Sequence, residues 1–129
     1  MAKNFAILFG VVFLLVGVLG FIMNPIVGSV GFFHADTVHN LVHVLSGIVF
    51  LIVAFTAPAQ ASLAMRIFGI VYILVAILGF FVIDASGMGS ILGIVGINSA
   101  DNWLHVFLAV VIFGASMMTK PKMMQTASM

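Results

Sequence analysis

The sequence predicts an all-α membrane protein: a four-transmembrane-helix bundle built from two parallel two-helix repeats with apolar, Gly-containing outer loops. Three observations carry this expectation. The 129 residues are 64% apolar and 5% charged, more hydrophobic side chain than a globule of this size has interior to hide. The apolar residues gather in four long uncharged runs without strict alternation, which suits helices and argues against a β-barrel. The third observation is self-similarity. Residues 9–22 (FGVVFLLVGVLGFI) align without gaps to residues 68–81 (FGIVYILVAILGFF), with eight of fourteen positions identical and Gly10 and Gly20 falling on Gly69 and Gly79.

The predicted spans are residues 5–22, about 38–55, about 67–83 and about 103–118, each near the roughly 20 residues that cross about 30 Å of hydrocarbon. Asn24-Pro25 ends the first, and Pro58 with Ala57 and Gln60 makes a short turn after the second. The fourth is short and extends up to Asn98 if its polar head is helical. Lys3 before an apolar run imitates a signal peptide, but no A-x-A site follows, so the first span is expected to be retained. The chain then forms a single transmembrane domain over 1–129: one repeat at about 5–57, a second at about 63–118, and a tail at 119–129. The second helices of the repeats align at a shift of 62 residues, pairing Asn40 with Asn102 and His43 with His105. Each unit has two spans, so both enter the membrane in the same sense and the expected axis is a pseudo-two-fold along the membrane normal.

Charge predicts topology. Lys3, Arg66, Lys120 and Lys122 share one side, and Asp36, Asp84 and Asp101 lie on the other, so both termini are expected in the cytoplasm of a multi-pass plasma (inner) membrane protein. Small residues seven apart, Gly10 and Gly17, Gly47 and Ala54, Gly69 and Ala76, Ala109 and Ser116, predict seams where helix backbones approach closely. The outer loops, 24–37 and 84–100, are Gly-rich yet apolar, and are expected at the interface or folded back over the bundle.

The candidate site is a polar stripe written twice: Asp36, His39, Asn40 and His43, then Asn98, Asp101, Asn102 and His105. Offsets of 0, +3, +4 and +7 share one face of a helix. Polar side chains on matching faces of so apolar a chain either bind each other or bind something else. The absences restrict the chemistry. There is no Cys, so thiol catalysis, Fe–S clusters and covalently attached haem are excluded, and there is no Glu and no phosphate loop. Ser46, three residues from His43, lacks an acidic orienter, so no enzyme activity is expected. A net charge of +1 gives no nucleic-acid signal.

Three segments together, HNLVHVLSG at 39–47, RIFGIVYILVAILGF at 66–80 and NSADNWLHVFL at 98–108, resemble an uncharacterised family of small bacterial four-helix membrane proteins, catalogued as a domain of unknown function. The resemblance covers roughly residues 5–118. It implies four spans and paired polar helix heads, and brings no activity or cofactor with it.

The stripe has three readings, of which the sequence favours the first. In the first, Asp36 and Asn98 cap their helices, while Asn40, His43, Asn102 and His105 hydrogen-bond across the pseudo-two-fold at roughly 0.6–2 kcal/mol per pair. The chain is then a non-enzymatic structural or accessory subunit without a cofactor, packing laterally on other membrane proteins or on copies of itself. In the second, His39, His43, Asp101 and His105 bind a divalent metal such as Zn²⁺, with Asn40 and Asn102 fixing the rings, or His43 and His105 are axial ligands of a b-type haem with room beside Gly47 and Ala109. In the third the same residues line an ion path, although no ionisable residue lies in the inner half of any span. His34 is expected to be a solvated loop residue, Trp103 an interfacial belt residue, and Tyr72, equivalent to Phe13, a packing residue. The five methionines of segment 117–129 suggest soft-metal binding less than a frayed end.

Overall fold

The computed structural model describes residues 1–119. In chain order it has α1 (Ala2–Leu19), β1 (Val27–Gly28), β2 (Phe33–His34), α2 (Thr37–Thr56), α3 (Ala61–Val82), β3 (Met88–Ile91), β4 (Val95–Asn98) and α4 (Ser99–Met118), with a 3₁₀ turn at Pro58–Gln60 between α2 and α3. All four helices are long and apolar enough to cross a membrane. At 1.5 Å per residue they measure about 27 to 33 Å, and the chain is a multi-pass membrane protein. The predicted tail lies outside the described residues except for Thr119, which is buried at the end of α4.

α1 lies three residues earlier than expected, and α3 begins about six residues earlier. α1 stops at Leu19 because Asn24 turns the chain back: its Nδ2 donates to the carbonyls of Leu19 and Val27, both at 2.9 Å, and its Oδ1 accepts from the N–H groups of Ile26 and Val27. α3 begins at Ala61, earlier than the apolar run, since Pro58 opens a 3₁₀ turn that feeds directly into it. The polar head of the fourth span is helical, as the capping pattern requires.

α1 packs most extensively on α2, and α3 on α4. All eight seam positions are buried. A methyl group placed on Gly10 would lie 2.7 Å from Leu51 and 3.1 Å from the Gly47 carbonyl, and one on Gly69 would lie 2.7 Å from Cβ of Phe113. Such close backbones are how helices associate where lipid supplies no hydrophobic drive. The inner half of the bundle is filled by Phe9, Phe13, Phe50, Met65 and Ile112, with Phe50 bridging to Phe68 at 4.5 Å between ring centroids.

The outer loops fold back over the bundle, and they do so as strands that the sequence pattern does not show. β1 pairs with β2 in parallel, and β3 with β4 as an antiparallel hairpin in the register Met88↔Asn98 to Ile91↔Val95. Two helix caps clamp these loops. Asp36 caps α2 through Oδ1, which accepts from the His39 N–H at 2.9 Å, while its Oδ2 accepts from the Gly96 N–H of β4 at 2.7 Å. Asn98 caps α4 by accepting from the Asp101 N–H at 2.9 Å, accepts from the His34 N–H at 3.3 Å, and donates to the Phe32 carbonyl at 2.9 Å. Each cap thus holds the loop that leads into the other capped helix. His34 is consequently half-buried in a strand rather than a solvated loop residue.

Candidate metal centre

The outer half of the bundle holds a pocket of polar side chains under the strand lid. α2 carries His39 and His43 one turn apart, and α4 carries Asp101 and His105 at the same spacing, so each pair points one way. All four are buried, between 1% and 3% exposed. One nitrogen from each of His39, His43 and His105 lies within 4.8 Å of the others. The Asp101 Oδ2 sits 3.5 Å from Nε2 of His105 and 3.8 Å from Nε2 of His39. The structure therefore brings together all four residues singled out from the stripe.

One ring, that of His39, is fixed by a group the sequence does not advertise. His39 Nδ1 lies 2.8 Å from the carbonyl oxygen of Gly96. A carbonyl only accepts, so Nδ1 carries the hydrogen and, in the neutral ring, Nε2 keeps its lone pair for the cluster. Ring contacts complete the setting: His43 lies 4.5 Å from His39 and 5.8 Å from Phe13, and His105 lies 5.6 Å from Tyr72, all between centroids.

The hydrogen bonds expected across α2 and α4 are not made. Asn102 donates instead to the Ala76 carbonyl of α3 at 3.0 Å, and its amide fills the space where a side chain on Gly79 would stand. Asn40 fills the corresponding space against Gly20 on α1. Both asparagines thus face their own hairpin partner rather than the histidine rings. Both ring nitrogens of His43, Nδ1 of His105 and Oδ2 of Asp101 have no hydrogen-bond partner, although buried polar atoms ordinarily find one. No basic side chain among the described residues answers the Asp101 carboxylate, since Lys3 lies over Phe55 and Arg66 reaches Met117 at the opposite end of the bundle.

Two lateral openings reach His43. One, of about 250 Å³, lies between α2 and α3 beneath the β3–β4 hairpin and is lined by Val42, Ser46, Val71, Tyr72 and Leu92 as well as the three histidines. A smaller one, of about 90 Å³, lies between α1 and α4 beside Phe13 and Leu104. Tyr72 packs, as expected, against Phe13 at 5.4 Å, but it also borders the cluster, a role signalled only by its being the one tyrosine in the chain. Trp103 is exposed near the start of α4 and meets Phe80 edge-on at 5.1 Å.

No curated protein and no solved structure matches this chain. Residues 3–118 match the model of a family described as a domain of unknown function, DUF4383, and on that extent the chain belongs to this family.

Proposed function

We propose that this membrane protein binds a divalent transition-metal ion of the zinc type through His39, His43, His105 and Asp101. The observation that carries the reading is a buried carboxylate, without a basic partner among the described residues, set 3.5 and 3.8 Å from Nε2 of His105 and His39 and clustered with a His43 whose two ring nitrogens both lack partners. A cation among them answers both needs. Three imidazoles and one carboxylate suit a four-coordinate ion, and bonds of 2.0–2.1 Å imply ligand atoms about 3.3 Å apart, so the separations of up to 4.8 Å among the three histidines and of 3.5 and 3.8 Å from Asp101 to His105 and His39 require only modest side-chain contraction. The Gly96 carbonyl on His39 is the kind of outer partner that orients a metal-ligating imidazole.

A b-type haem fits poorly. The His39 ring, 4.5 Å from His43 and 5.3 Å from His105, occupies the slot a porphyrin would need, and Gly47 is used against Gly10 and Leu14 of α1 rather than leaving room. A through-going ion path meets the Phe13, Phe50 and Phe68 packing below His43. The purely structural reading, with lateral packing on other membrane proteins or a second copy, leaves the histidine nitrogens unexplained and ranks second. The proposal concerns binding and includes no catalytic step. We also read the chain as two repeats, supported by the matched Gly20–Asn40 and Gly79–Asn102 pairs and by caps that hold positions 62 apart. By the charge rule, both termini face the cytoplasm and the metal lies toward the outer side of the plasma membrane.

Elemental analysis of the detergent-purified protein tests the metal reading. About one ion per chain is expected, lost in His105→Ala and removed by a chelator with a fall in thermal stability. A metal-free protein that does not take up Zn²⁺, with stability indifferent to chelators, overturns it.

A further inference from the structure

We infer that the cavity between α2 and α3 receives an uncharged, lipid-soluble ring molecule bearing a carbonyl oxygen, of the quinone class, which enters sideways from the bilayer and accepts a hydrogen bond from His43. The route follows from the walls. Val42 and Val71 line the cavity and are also exposed on the outside of their helices, so its mouth opens on the flank of the bundle, where acyl chains lie. A solute arriving there comes dissolved in lipid.

The head group follows from His43. This side chain is 3% exposed, borders the cavity, and has no partner at either ring nitrogen. An imidazole always carries at least one N–H, and a buried N–H calls for an acceptor. The inference does not rest on the metal. If one His43 nitrogen ligates an ion, the other bears the hydrogen and needs an outer acceptor, as His39 has in Gly96. If no ion binds, the N–H is equally unanswered.

Charge selects among lipid-soluble acceptors. No lysine or arginine lines the cavity, and the Asp101 carboxylate stands 3.5 Å behind His105. Without a bound ion, a fatty carboxylate or a phospholipid phosphate would lose its hydration without gaining a cation, and with one, four protein ligands that include the Asp101 carboxylate leave the ion no open position for an anion, whereas a neutral carbonyl loses little. Shape points to a ring, because Phe68 and Tyr72 offer flat faces and about 250 Å³ holds one ring with its tail left in the mouth. Leu92 completes the opening. It sits at the hairpin tip with φ +53°, a conformation that a leucine adopts only under strain, and is 82% exposed while bordering the cavity. Backbone strain of this kind collects at ligand clamps.

The test is calorimetric titration of the detergent-purified full chain, its metal content measured, with decylubiquinone, and with decylbenzene as a control lacking carbonyls. Saturable one-to-one binding of the quinone alone is expected. Val71→Trp, which plugs the mouth from the lipid side, should weaken it at least about tenfold with metal content unchanged, and Val42→Phe should act likewise. His43→Phe should weaken it comparably. No saturable binding, equal binding of decylbenzene, or indifference to all three substitutions overturns the inference. A metal-free protein that still binds decylubiquinone overturns the metal reading and leaves this one standing.

Discussion

Asp36 and Gly96 are joined across 60 residues of chain by a 2.7 Å hydrogen bond from the Gly96 backbone N–H to the Asp36 carboxylate, and the carbonyl of the same glycine holds His39. One residue of β4 thereby links the cap of α2, the lid and the histidine cluster. Its carbonyl orients a ring while its N–H anchors the strand.

Asp36→Ala should remove both the α2 cap and this anchor. A cap is worth about 1 kcal/mol and a hydrogen bond to a charged group about 1.5–3 kcal/mol, so thermal unfolding in detergent should show a loss of about 2–4 kcal/mol. Metal affinity should fall as well, because His39 loses its orienting strand. Asp36→Asn, which keeps a cap acceptor, should lie between. Equal stability of the wild type and Asp36→Ala would show that the clamp contributes nothing.

Gly79→Ala places a methyl group inside the Asn102 amide, so Asn102 must move and give up its 3.0 Å bond to Ala76. The expected cost is about 1–3 kcal/mol. Adding Asn102→Ala should recover part of it, since the two sites share one space and their effects do not add. Strict additivity in this double-mutant cycle would contradict the packing described.

At the turn after α3, the Ser86 hydroxyl donates to the Asp84 Oδ1, followed in effect by the Ser86 backbone N–H at 2.8 Å, and these bonds hold the carboxyl below its ordinary value of 3.8. A depressed carboxyl stabilises the fold above the unfolded value and loses that contribution as pH falls through the folded one. An NMR titration of Asp84 should therefore show a midpoint below 3.8 that rises toward it in Ser86→Ala. An unchanged midpoint in the variant would assign the depression to another cause.

The chain has no native cysteine, which makes topology directly testable. If both termini are cytoplasmic, as the charge rule proposes, a cysteine placed by Ser86→Cys should react with a membrane-impermeant thiol reagent added to intact cells, and one placed by Ala59→Cys should not. The reverse pattern would invert the orientation.

Much of this was legible in the sequence, and the rest was hidden for physical reasons. Long apolar runs report spans because hydrocarbon tolerates little else, and Asp36 and Asn98 were readable as caps because their side chains carry the signal themselves. The four metal-site candidates converge because i, i+4 spacing fixes direction on a helix. The destinations of Asn40 and Asn102 were not legible: whether an amide turns to a ring or to a backbone depends on interhelical distance, which Gly20 and Gly79 set. Gly96 was invisible as a partner because it acts through its carbonyl and N–H, which every residue type possesses. The strands over 88–98 escaped because apolar residues and glycines there follow pairing geometry rather than alternation.

The division of the helices into two closely packed hairpins has a consequence for biogenesis. α1 and α2 can settle against each other while the rest of the chain is still being made, yet that half contributes only His39 and His43. Asp101 and His105 arrive with the second hairpin, and so does Gly96. No half-made chain presents the complete donor set, so an ion can be held by all four only after the hairpins dock, and once held it fastens an early half of the protein to a late one.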